Sequence, residues 1–86
     1  MIIEEKRIIQ VKDISIGDNL KQFRIRAGYK QTTLVKKLQL HGCDISTYSY
    51  NRIEKGTQNP TVSLLLAFCA ITSCDMNDLF GLKEKI

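Results

Sequence analysis

Three glycines and a single proline cut this chain into pieces too short for most folds. Gly28, Gly42 and Gly56 each close a run with apolar residues at helical spacing, and Pro60, in "KGTQNPT", is the sharpest break. Between the breaks only helices of about three turns fit, and isolated helices of that length are marginal in water. They must therefore pack on one another. The spacing predicts five. The first follows Ser15 and Asp18, read as a capping box, and runs to about Ala27 with Ile16, Leu20 and Phe23 on one face. The second begins at Lys30 or Gln31, with Leu34, Val35 and Leu38 inward and Lys36 and Lys37 outward. Ser46 caps the third, where Tyr50 and Ile53 share the inner face and the Tyr50 hydroxyl is expected to reach the surface. The fourth starts at Thr61 after "NP", and the fifth, "DMNDLF", is capped by Asp75 with Asp78 three residues on. The fold class is all-α.

Two stretches do not fit a self-sufficient bundle. "MIIEEKRIIQVKDI" is rich in β-branched residues and partly alternates, so residues 1–14 are predicted to form an extended arm or short strand. A lone strand must lie on the helices, pair with a second copy or stay disordered. The fourth helix poses a related question, because Leu64, Leu65, Leu66, Ala67, Phe68, Cys69, Ala70 and Ile71 surround its axis and leave no polar back. The arm or a symmetry-related subunit could cover the second side, and a homodimer through the arm, the fourth and fifth helices, or both would use that surface. The expected organisation is an arm over 1–14, a helical domain over 15–81 and a C-terminal tail over 82–86.

Several function classes are excluded at this level. No apolar run approaches the ~20 residues that cross a bilayer, and "MIIEEKRII" lacks the basic-then-apolar order of a secretion signal, so a cytoplasmic location is expected. Cys43, Cys69 and Cys74 are odd in number and have no metal-ligand spacing, with His41 the one histidine. They are read as reduced and apolar, Cys43 in its turn being the most open to reaction. No acid or base partners Cys43 or His41 locally, so no enzyme, metal or cofactor is expected.

The net charge of +4 is concentrated in the middle of the chain. Residues 17–58 carry eight basic side chains against three acidic ones, a net +5, whereas the two ends are near neutral. A basic centre suits a polyanion. Within it, a helix, a turn and a short capped helix form the arrangement of a helix-turn-helix, whose second helix fits the major groove of DNA. Thr47, Tyr48, Asn51 and Arg52 point outward from that helix and are the candidate base contacts. Arg52 can hold guanine O6 and N7 with two hydrogen bonds, Asn51 can pair with adenine or turn to phosphate, and Tyr48 can stack, donate its hydroxyl or pack on the second helix.

Arg24, Gly28, Gln31 and Leu34, then "IEKG" and "NP", occur in an order that resembles the Xre/Cro-like, phage-repressor type of helix-turn-helix domain over most of residues 16–81. The resemblance implies a five-helix repressor-like fold and a sequence-specific transcriptional regulator whose partner is double-stranded DNA. It also implies individual roles. Gln31 would bond a DNA phosphate at the start of the second helix. Arg24 and Glu54 would form a partly buried salt bridge between the first and third helices. Thr47, Tyr48 and Arg52 would touch bases, and Lys55, Thr57 and Asn59 the backbone. Lys30 and Lys36, on the basic second helix, complete the expected phosphate set. Three features depart from the pattern. The connection "QLHGCDI" is longer than the family's tight turn, which extends the second helix or alters the angle of presentation. Val35 replaces a small alanine, and Ser73 replaces a glycine, so the left-handed cap there is strained or absent. The competing expectation is an antitoxin-like adaptor in which the same fold binds a regulatory protein partner and DNA is secondary.

Overall fold

Each helix among the described residues is closed by a left-handed residue at its C-cap or the position after it. The computed structural model describes residues 15–81, and its regular structure comprises α1 (Ile16–Arg26), α2 (Gln31–Leu40), α3 (Thr47–Lys55), α4 (Val62–Thr72) and α5 (Met76–Phe80). The expected arm over 1–14 and tail over 82–86 lie outside the described residues. Gly28, Gly42, Gly56, Ser73 and Gly81 have positive φ, and one follows each helix in turn. The first three close their helices alike. In α2, Gly42 N donates to Gln39 O (3.0 Å) and Cys43 N to Leu38 O (2.9 Å), the paired bonds of a Schellman motif. The long connection has therefore extended α2 to Leu40 and then folded back, burying the Cys43 side chain in the core. Cys43 is thus not the open thiol that its turn position suggested. Ser73 does adopt the left-handed cap, at φ 61°, and as a non-glycine residue it carries a cost of about 1 kcal/mol.

Helix starts follow the sequence with one correction. Ser46 accepts from Ser49 N, Thr61 accepts from Leu64 N, and Asp75 and Asp78 exchange both bonds of a capping box. No capping box forms at α1. The Ser15 hydroxyl instead donates to the Asp18 carboxylate (2.8 Å) and accepts no backbone N–H. The cause is the backbone at Ser15, where ψ of 86° replaces the extended value near 160° found at the other caps and turns the oxygen aside.

The helices bury one shared core. Ile16 and Leu20 of α1, Leu34, Val35 and Leu38 of α2, Tyr50 and Ile53 of α3, Leu64, Leu65 and Phe68 of α4 and Leu79 of α5 are all buried. Helix α1 packs on α3 and α5, α2 on α3 and α4, and Asn19 Nδ2 ties α1 to α5 through Leu79 O (2.8 Å). Val35 is accommodated in this core. Gly17 decides how closely α1 meets α3, since a Cβ there would lie 2.6 Å from Ile53 O and 2.5 Å from Glu54 O. The apolar circumference of α4 resolves into two sides, with Leu64, Leu65, Ala67 and Phe68 inward and Val62, Leu66 and Ala70 exposed.

Candidate nucleic-acid interface

The outer face of α3 is set by what holds its inner face. Tyr50, Ile53 and Glu54 are buried, and Arg24 of α1 grips Glu54 with two hydrogen bonds, Nε to Oε2 at 2.7 Å and Nη2 to Oε1 at 3.1 Å. The same guanidinium donates from Nη1 to Tyr29 O (2.8 Å), so one side chain fixes α1, the α1–α2 turn and the end of α3. Burial would raise the Glu54 pKa, but bonds from Arg24 and Gln31 outweigh it and hold the carboxyl below its ordinary value. The hydrogen bond to Glu54 raises Arg24 in turn. The Tyr50 hydroxyl lies buried beside this pair, feeling its charges but lacking a hydrogen bond of acceptable geometry. The expectation that it would reach the surface fails because Tyr50 is wholly covered, and burial raises its pKa.

A polar relay runs from the pair towards the surface. Gln31 Nε2 donates to Glu54 Oε1 (2.9 Å) while Gln31 Oε1 accepts from Asn51 Nδ2 (3.1 Å). Each amide keeps one N–H for another partner. Asp18, Lys21, Arg24, Gln31, Asn51, Glu54 and Lys55 line one cleft at the meeting of α1, α2 and α3. Lys21 had not been singled out in the sequence. The signal that could have found it is its place three residues before Arg24, which puts both on the face of α1 that meets α3.

The other candidates lie on or beside α2 and α3. Tyr48 is 73% exposed, so it does not pack on α2, and the Arg52 guanidinium lies over its ring at 5.8 Å from the centroid. Arg52 and Lys55 are exposed, and Thr47 is half-buried at the first turn of α3. After that helix, Thr57 Oγ1 donates to Arg52 O (3.2 Å), and Asn59 is half-buried. Lys30 and Lys36 are exposed, but Lys37 leans on the Tyr29 ring (5.2 Å) instead of facing open solvent. Lys30 is also the N-cap of α2 and places no side-chain acceptor there, so the first N–H groups of α2 point out beside Gln31.

The match to known families covers this same ground. Residues 19–85 match the model of the Cro/C1-type HTH DNA-binding domain. The chain belongs to that family. No curated protein and no solved structure matches it. As a member of the Cro/C1-type family it is a DNA-binding regulatory protein, and the domain is of a kind that is typically not an enzyme. Among the described residues no three His, Cys, Asp or Glu side chains are grouped to hold a metal ion, and no helix is long and apolar enough to cross a membrane.

Proposed function

We propose that this Cro/C1-type chain is a repressor-like regulator that reads the major groove of DNA with α3, as a homodimer. The observation that carries the reading is the outward pair Tyr48 and Arg52 on a helix whose inner side is locked by Arg24, Glu54 and Gly17. Side chains on a fixed helix can meet base edges at a set depth, and stacking on Tyr48 holds the Arg52 guanidinium ready for guanine O6 and N7. Asn51 reaches adenine with its free N–H and carbonyl while Gln31 orients it, and Thr47 and Tyr48 meet the neighbouring bases. The uncapped start of α2 takes a phosphate with Gln31 and Lys30, while Lys36, Lys55, Thr57 and Asn59 contact the backbone on either side. Val62 and Leu66, exposed on α4, supply apolar surface for the second copy.

Selection from a random duplex library at near-physiological salt tests this. The expected result is an inverted repeat with half-sites about one helical turn, ~10 bp, apart. Arg52→Ala should then lose about 1–3 kcal/mol and relax preference at one base pair, while Lys55→Ala weakens all sequences alike. Weak, salt-sensitive binding without a motif would leave only a nonspecific basic face and turn the search to a protein partner.

A further inference from the structure

Three sulfur atoms meet where α4 gives way to α5. Cys69 lies on the last turn of α4, Cys74 follows the left-handed Ser73, and Met76 opens α5; all three are half-buried. Cys69 Sγ is 3.7 Å from Cys74 Sγ and 3.9 Å from Met76 Sδ, and neither cysteine is in a disulfide. The strained turn at Ser73 is what returns Cys74 to Cys69. A metal bound about 2.3 Å from each sulfur spaces those sulfurs ~3.8 Å apart in a tetrahedral site and ~4.0 Å apart in a trigonal one. The two separations match the edges of such a site.

We propose that Cys69, Cys74 and Met76 form a binding site for a soft monovalent metal ion, copper(I) being the chemistry that fits. Two thiolates and a thioether are soft donors, and they select copper(I) over harder ions. Asp75 and Asp78 are held by the α5 capping box, and burial, the Cys74 thiol and the two aspartate charges raise the Cys69 thiol, so the metal has to displace its proton. The ion enters as its salt or from a carrier, Cys69 and Cys74 each release a proton as a metal–sulfur bond forms, and Met76 binds as the neutral thioether without change of oxidation state. The Thr72 hydroxyl, which donates to Phe68 O (2.9 Å), lies 3.2 Å from Cys74 Sγ and helps to hold that sulfur in place.

The test is anaerobic titration of the full chain with copper(I) against a chromogenic chelator, with far-ultraviolet circular dichroism run on every variant. One equivalent should be withdrawn from the chelator. Cys74→Ser and Cys69→Ala should each lower the affinity by at least about tenfold, Met76→Leu should lower it less, and Cys43→Ser should leave it unchanged. X-ray absorption on the loaded wild-type chain should show sulfur neighbours alone, which keeps the outcome decisive if a cysteine variant unfolds. No uptake against the chelator, uptake that survives loss of both cysteines, nitrogen or oxygen in the first coordination shell, or conversion of the pair to a Cys69–Cys74 disulfide in place of metal binding would each overturn the assignment.

Discussion

Glu54 is the residue on which the site's geometry turns, since it holds Arg24 and Gln31 at once and Gln31 in turn orients Asn51. Its folded pKa lies below the ordinary 4.5, so the stability it contributes is fully present above that pH. As pH falls past it the unfolded chain takes up the proton first, and the contribution is lost as pH falls through the folded pKa. Glu54→Gln should therefore cost about 3 kcal/mol at pH 7, because Arg24 is left buried without its counter-charge, and the variant should lose less of its remaining stability on acidification than the wild type does. Urea unfolding at a series of pH values checks both. Equal acid slopes would mean that other carboxylates govern the acid limb.

At the scale of elements, α1 closely approaches α3 at Gly17. Alanine normally favours a helix over glycine by about 0.5–1 kcal/mol, but here its methyl would press on the backbone carbonyls of Ile53 and Glu54, which cannot rotate away. Gly17→Ala should give a net loss of about 1–2 kcal/mol and tilt the end of α3, so that affinity for a selected site falls more than affinity for random DNA. Thermal melting and paired binding measurements test the two parts. Such a contact is invisible in the sequence, where nothing in the spacing says what Gly17 faces. What was legible is what depends on neighbours in the chain: five helices, the caps at Ser46 and Asp75, the start of the fourth helix at Thr61 to within a residue, and the glycine stops. What was not depends on the third dimension. The capping box at α1 failed because a backbone angle at Ser15 turned its hydroxyl aside, and the Tyr50 hydroxyl lies buried beside the Arg24–Glu54 pair instead of at the surface. The Arg24–Glu54 pair stands in the structure across thirty residues, a partnership that only the family resemblance had implied. The relay through Gln31 to Asn51 had no signal in spacing at all.

For the molecule as a whole, the question is what the exposed side of α4 is for. A domain of this size buries little surface, and solvating it with Leu66, 57% exposed, and Val62 on one face gains nothing for a monomer. Val62, Leu66 and Ala70 recur at helical spacing, and Leu66 and Ala70 share a groove with His41, Gly42, Cys43 and Ser63 at the foot of α2. That is apolar surface of the kind that a twofold axis could bury against itself, which would pair two copies of α3 for two half-sites. Leu66→Glu separates the roles. Because the side chain is exposed, monomer stability should change by no more than about 0.5 kcal/mol, while two glutamates facing each other across a twofold axis there should dissociate the proposed dimer. Sedimentation should then report a single chain, and affinity for a full inverted repeat should fall to that for one half-site with base preference within the half-site intact. A variant that stays dimeric would put the interface elsewhere and leave α4 to another partner, whereas loss of base preference would mean that α4 takes part in positioning α3.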